Sequence, residues 1–404
     1  MKYIIITSIS FLILISLSCK DKGVDPQDNY PPGYQHDIPW LSLADSPWPM
    51  HNADPQATGR SKYLGPMNGI IDWEFVPVGV LGTGVTIDKD STIYFVTAQN
   101  SPSGLNSLNQ HGKLKWIYKM GHFENYVTPL ITSDGGIIIS NGLSNIYCIN
   151  PDSTIRWEYK IDEVSQININ ESLNIDLDGN LYFVNKVNNT LYSISKDGKF
   201  NWSLSDERLK YPSNIPFRTA FSPDGKTLYL PGFSVTVLAV DIVNKNVKWS
   251  YGNTLCYALM VDSDGNVYAQ VSNGLVALDK DGKLKWGYIV TPSDFGADAS
   301  PTIDKQGNIY FATDTLYALD YTGKLRWKYG LNKICYAPII CDNNGNIFVG
   351  TAGGSVITIV AFNSNGNLLW TISDNSVFPA GSPAIDNDGK LIYPLYHRKV
   401  IAIK

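Results

Sequence analysis

The residues capable of chemistry are few and scattered in this 404-residue chain. The histidines are His36, His51, His111, His122 and His397, and none stands in a Ser/His/Asp or paired-carboxylate spacing that would set up a nucleophile or an acid–base pair. The cysteines are Cys19, Cys148, Cys256, Cys335 and Cys341. They form no Cys-x-x-Cys, and no His-x-x-x-His accompanies them, so no zinc site is expected. Cys335 and Cys341 read as residues of one strand, about 20 Å apart and beyond disulfide reach. Cys148 reads as inert packing. The acidic runs Asp176-x-Asp178-Gly-Asn180 and Asp262-x-Asp264-Gly-Asn266 open like a calcium loop. A strand-like run follows at once and no bidentate Glu closes the loop, so they read as hairpin turns. No catalytic residue and no metal site are assigned.

The elements that would carry any site repeat. Trp73, Trp116, Trp157, Trp202, Trp249, Trp286, Trp327 and Trp370 lie on average about 42 residues apart, the period of a four-stranded propeller blade. Each period holds two hairpins. The first is an apolar run reversed at an Asx-Gly turn, as in Pro301–Phe311 and Leu259–Ala269. The second ends in the tryptophan, as in Ala277–Trp286 and Ala318–Trp327. It begins at a small residue: Ser107, Cys148, Ser193, Ala239, Ala277, Ala318, Ala361 or Ala402. A small residue paired with a large indole predicts a close approach of neighbouring blades there, with the ring buried in the gap. The eighth copy stops at Lys404, before its tryptophan strand, and that strand is available only at 69–75. The expected fold is therefore all-β, an eight-bladed propeller of four-stranded antiparallel blades. The N-terminal strand closes the ring by joining the C-terminal blade.

This repeat resembles that of the PQQ-like (quinoprotein-type) β-propeller family, Ala-x-Asp-x-x-x-Gly-x-x-x-Trp or a form one residue shorter. The lead-in from Trp48 to Ser61 is also similar to that family's. The repeat departs from the pattern at Ser153, in place of Gly, and at Asn244, with one extra residue; both are compatible with turns. The Gly-His…Trp-Asp mark of another propeller class is absent. The resemblance implies a PQQ and calcium site at the propeller centre in the family's founding enzymes. Those enzymes carry an adjacent cysteine pair that this chain lacks, their calcium ligands and catalytic Asp find no matching positions here, and no Cys-x-x-Cys-His haem site occurs. The expectation is accordingly no cofactor, neither PQQ nor calcium.

Residues 1–18 read as a secretory signal, Lys2 followed by an apolar run from Ile4 to Leu17. Cys19 follows in a context similar to a bacterial lipoprotein cleavage site, which would make it the lipidated first residue; Ser16 stands where Leu is usual. Ordinary cleavage releasing a soluble periplasmic or secreted protein is the alternative. Residues 19–45 read as a proline-bearing tether and 46–404 as the propeller. A net charge of −5 argues against nucleic acid as partner.

The connections from each tryptophan strand to the next blade fall on one face and the Asx-Gly turns on the other. The longer connections present Tyr126, Arg208, Tyr211, Arg218 and Phe295, residue types that dominate binding hot spots. The expected function is a non-catalytic extracytoplasmic binding or scaffold lipoprotein, similar to the lipoprotein propeller of the outer-membrane assembly machinery. It would be a monomer on the periplasmic or surface side of the outer membrane, touching the membrane only through its lipid. Its partner would be an envelope or extracellular protein, or a glycan. The rival reading is an enzyme, either a quinone-dependent dehydrogenase or a propeller hydrolase or lyase.

Overall fold

The computed structural model describes residues 30–98, 104–120, 127–141, 145–161, 169, 173–212, 215–290, 299–335, 337–353, 356–375, 381–396 and 399–404. Among these, the strands form eight antiparallel sheets, each of four strands along its main path and arranged in chain order. The blades are complete by sequence neighbours except the eighth. There Ile71–Phe75 pairs with Lys399–Ile403, setting Trp73 opposite Ala402, so the expected ring closure is what the chain adopts. In blades 1 and 7 the innermost strand is broken into two short pieces. That break separates Cys335 from Cys341: they lie in Ile334–Cys335 and Ile340–Cys341, not on one strand. Cys148, Cys256, Cys335 and Cys341 are all free and buried. Burial pushes the Cys148 thiol up to about 12, which leaves it inert as a nucleophile.

The small residue of each repeat works differently from the sequence expectation. It sits directly across from the tryptophan within the same blade, as in Ala277↔Trp286 and Ala318↔Trp327. On its other side it faces an aromatic of the second strand, Tyr268 and Tyr310 respectively. A methyl or hydroxymethyl between two large rings lets them meet over it: the centroids of Tyr268 and Trp286 are 5.8 Å apart, and those of Tyr310 and Trp327 are 5.9 Å apart. The tyrosine hydroxyl donates in turn to the first aspartate of the Asx-Gly turn. Tyr268 reaches Asp262 at 2.9 Å and Tyr310 reaches Asp304 at 2.8 Å. The other oxygen of Asp262 accepts the backbone N–H groups of Asp264 and Asn266, which ties the turn to the blade.

What joins one blade to the next is the indole itself. In seven of the eight repeats its N–H donates to a carbonyl of the following blade's outer hairpin or its equivalent, for example Trp327 to Ser364 at 2.9 Å. The ring lies on the turn glycine: a Cβ at Gly366 would stand 2.7 Å from Trp327 Cδ2, and its φ of +83° excludes most side chains anyway. Ser153 and Lys245 take the left-handed conformation where glycine is missing, so in blade 4 it is Lys245 rather than Asn244 that turns the chain. Blade 8 has no outer hairpin turn, because its last two strands come from opposite ends of the chain. Gly69 (φ +61°) stands in for the turn glycine beneath Trp370, whose N–H reaches Pro66 O at 2.8 Å. This overlying segment makes Trp370 buried, at 8% exposure, while the other seven indoles are only half-buried.

Ion pairs secure the closing strand. Asp72 receives Lys404 at 2.7 Å and Lys390 at 2.9 Å, and Lys399 bridges Glu74 at 2.7 Å and Asp374 at 2.8 Å. Hydrogen bonds from the two lysines hold the Asp72 carboxyl down at about 2.

Two outcomes are expected. Trp370→Ala should lower unfolding stability by about 3–5 kcal/mol, and Gly366→Ala by at least ~1 kcal/mol, in denaturant titrations. Because the Asp72 pKa is depressed in the fold, its contribution is present above the unfolded value of about 3.9 and is lost as pH falls through the folded value. The stability gap between wild type and Asp72→Asn should therefore be full at pH 7, narrow below about pH 4 and close only near pH 2. A gap that stays constant to acid pH would show that Asp72 does not secure the closure electrostatically.

Candidate functional site

The packed unit begins at Gly33 rather than at residue 46, and the reason lies in what residues 33–69 do. The stretch assigned to a tether contains Trp40 and Leu43, both buried. It crosses the turn face as a strap. Gln35 N–H donates to Lys305 O, Trp40 Nε1 donates to Ile175 O at 3.0 Å, and Ala44 N–H donates to Ile131 O, so the strap touches blades 6, 3 and 2 in order.

Beyond Ser46 the chain enters the propeller axis. The innermost strand of each blade has an edge turned to the axis, and in six blades the N–H just before the turn is directed at the chain segment there. Ile87 donates to Trp48 O at 2.8 Å, Ile131 to Pro49 O at 2.8 Å and Phe221 to Pro55 O at 2.7 Å. Val261 donates to Gln56 O at 2.9 Å, Ile303 to Thr58 O at 3.3 Å and Cys341 to Gly59 O at 2.9 Å. Blade 3 reaches Pro55 O through Asn174 Nδ2, and blade 8 reaches Asn52 Oδ1 through Ser382 Oγ. All eight blades are thus bonded to one plug. Its composition suits the place: Pro49 and Pro55 offer carbonyls without N–H groups of their own, to walls that supply donors. Left-handed turns at Asn52, Ala53, Ala57 and Gly59 fan successive carbonyls outward to different blades.

Two titratable groups lie in the plug, His51 buried and Asp54 half-buried. His51 is held well below its usual value, chiefly by burial and further by the positive charge of Arg218. Asp54 is pushed up by burial, against which hydrogen bonds from the Thr58 N–H and hydroxyl and the charge of Arg60 act.

Between strap and plug the turn face holds a cavity of about 610 Å³. Its charged lining is Asp37, Asp45, Asp54, Arg60 and Lys62. Arg60, whose side chain is 7% exposed, contacts Asp37 at 3.3 Å, and Lys62 pairs with Asp45 at 3.0 Å.

Of the five anchors expected from sequence, the three described ones, Arg208, Tyr211 and Arg218, do not form an exposed patch on the opposite face. Tyr211 is buried, its hydroxyl donating to Cys256 O and its ring packed edge-on to Phe217 at 4.9 Å. Arg218 is buried beside His51. Both types are common at interfaces, but here an apolar ring and a cation are used to pack the loop and the axis. Arg208 is part-exposed and clamped to Asp206 at 2.6 Å. Tyr126, Phe295 and Cys19 lie outside the described residues. Sequence reasoning does not find the strap and plug; the available signal is the proline-rich run from Ser46 to Pro55, which overlaps the lead-in from Trp48 to Ser61.

Comparison with known proteins gives a family and a fold. The family model described as outer membrane protein assembly factor BamB matches residues 103–255 and 271–404. No curated protein sequence matches the chain. Among solved structures, a europium-containing methanol dehydrogenase superposes with a TM-score of 0.64 at 13% identity, covering 87% of this chain and 90% of its own. BamB from Moraxella catarrhalis superposes with a TM-score of 0.62 at 13% identity, covering 83% and 100%. The computationally designed Ika8 protein gives a TM-score of 0.62 at 11% identity, covering 85% and 99%. An enzyme, an assembly factor and a designed chain share this fold, so the likeness carries no activity.

The residues do not fit the quinone cofactor associated with the fold. The turn-face end of the axis is filled by the chain itself, and the turn-face cavity sets three carboxylates against two cations, a poor host for a tricarboxylate. Among the described residues no group of three or more His, Cys, Asp or Glu is placed to hold a metal ion.

The lowered pKa of His51 sets a pH dependence. A histidine kept neutral in the fold contributes stability above its unfolded value of about 6.5, and that stability is lost as pH falls below it. Wild type should lose stability as pH falls below about 6.5, and His51→Gln should flatten that segment of the profile. Parallel profiles for the two proteins would remove His51 as the cause.

Proposed function

Because the chain belongs to the family of the outer membrane protein assembly factor BamB, we propose that it is a non-catalytic binding scaffold of the bacterial cell envelope. The observation that supports this reading most is the plugged axis. A propeller built for central chemistry needs an open centre, whereas here eight blades are bonded to a segment of their own chain. The result is a stiff disc whose two faces differ. The strap enters and crosses the turn face, so the opposite loop face is clear of it for a partner. On that face Arg208 is the described, part-exposed anchor.

In the same reading Cys19 carries the lipid and residues 20–32 form a shortened tether, which holds the scaffold at the membrane. Among the described residues no helix is long and apolar enough to cross a membrane. The partner is an envelope or extracellular protein, recognised through a protein–protein contact.

Crosslinked pull-down of the full-length protein from native membranes, with Cys19→Ala in parallel, tests the proposal. Wild type should fractionate with membranes and recover a defined envelope protein, and the Cys19→Ala form should move to the soluble fraction. Recovery of no envelope protein above an unrelated lipoprotein control would remove the scaffold reading.

A further inference from the structure

We infer that the anchored protein meets the membrane a second time, through the turn-face rim of blades 5 and 6, which seats on anionic phospholipid headgroups of the bilayer. This deepens the scaffold reading and rests on its lipid at Cys19. The outer strands supply the contact. The three residues before the indole are Lys283, Leu284 and Lys285 in blade 5, and Lys324, Leu325 and Arg326 in blade 6; all six are exposed. Among the described residues none of these four cations is in an ion pair. Lys285 Nζ donates to Asn266 Oδ1 at 2.7 Å and Arg326 Nη1 to Ser364 O at 2.9 Å, neutral acceptors that leave the charge in place. The nearby carboxylates are engaged. Asp279 accepts the N–H groups of Asp281 and Lys283, Asp320 those of Thr322 and Lys324, and Asp281 pairs with Lys280 at 3.5 Å. The inner turns add Asp264 and Lys305, which offset each other, while Asp262 and Asp304 are buried and bonded to tyrosines. The rim therefore keeps a surplus of cations with a leucine between each pair, which suits headgroups lying over acyl chains.

Position singles out these two blades. The packed unit begins at Gly33, and Gly33 lies on the outer turn of blade 6: a Cβ there would stand 2.5 Å from Tyr321 Cγ. Trp286 of blade 5 donates to Tyr321 O at 3.2 Å, so both basic stretches flank the residue to which the tether is joined. Fourteen residue steps separate Gly33 from Cys19, a reach of at most about 50 Å. Of the whole disc, this rim is the part tied nearest to the bilayer. The pattern stops at the next two blades, which carry Asn367-Leu368-Leu369 and Ile70-Ile71-Asp72. It returns in full as Lys113-Leu114-Lys115 of blade 1, on the far side of the ring. The net charge of −5 does not oppose the contact, because headgroup attraction fades within a Debye length and is set by the local patch. Seated in this way, the disc turns its loop face away from the bilayer, where a protein partner can reach it.

The test reconstitutes the full lipoprotein into vesicles of phosphatidylcholine alone or mixed with phosphatidylglycerol. Acetylation by an N-hydroxysuccinimide ester, read by mass spectrometry, reports which lysines the bilayer covers. In the anionic vesicles Lys283, Lys285 and Lys324 should label about fivefold more slowly than in the neutral ones, and high salt should abolish the difference. Lys113 and Lys115 should label equally in both. Lys283→Glu combined with Lys324→Glu, at exposed positions and checked by unchanged thermal unfolding, should return Lys285 to its rate in neutral vesicles. Equal labelling of the three rim lysines in the two vesicles, equal protection of Lys113 and Lys115, or protection of Lys285 that survives the double substitution would each overturn the rim assignment. Flotation of the same vesicles separates the two readings. Protein that floats with its rim lysines unprotected removes only the rim contact, whereas protein that does not float removes the lipid at Cys19 and the rim contact with it.

Discussion

The contact on which the ring depends is a half-buried indole reaching from the outer strand of one blade onto the hairpin turn of the next. It combines an N–H···O bond with a ring face laid on a backbone that has no side chain in the way. Each part explains a fixed feature of the repeat. The opposing residue is small so that the indole and the second-strand tyrosine can meet above it, and the turn residue is glycine so that the ring can sit down on it. Repeated around the ring, the contact must also be made where no hairpin exists. Gly69, far from Lys404 in sequence, is placed beneath Trp370 to supply it, with ion pairs from Lys390, Lys399 and Lys404 beside the joint.

Closing a ring of blades solves the problem of lateral packing but creates another at the axis. Eight innermost strands turn unpaired edges toward a centre that is too wide for them to pair with one another. Unmet backbone donors there would be costly to bury. The chain answers with a segment rich in proline, a residue that accepts but does not donate. Left-handed turns let its carbonyls point in several directions. Plug, strap and closing strand are consecutive, so one stretch of about forty residues makes the axis solid, crosses the turn face and locks the eighth blade.

These arrangements bear on function through what they leave available. The same fold serves a methanol dehydrogenase and an assembly factor, so the distinction lies in what occupies the centre and which faces remain open. Here the centre is protein, the buried axial histidine is held neutral, and the four described cysteines are sealed in the core. The remaining opportunity is on surfaces. The loop face is clear of the strap, and the turn face carries a cavity between strap and plug.

By itself the sequence determined the blades. Tryptophan period, Asx-Gly turns and alternating apolar runs are local signals of a repeating unit, and the missing eighth tryptophan strand dictates closure from the other terminus. It also located the two repeats where glycine is replaced, though not that Lys245 would take the left-handed position. Only the tertiary structure decided the fate of residues that act across the ring. Tyr211 and Arg218 look like interface anchors in a list of loop residues, yet a ring against Phe217 and a charge beside His51 place them inside. Residues 33–45 look like a tether, yet Trp40 and Leu43 pack onto blades more than eighty residues distant in sequence. The plug carries no periodicity at all, because it bonds to each blade once and in a different geometry. Its function depends on the closed circle of donors around it, which exists only after the repeats have folded.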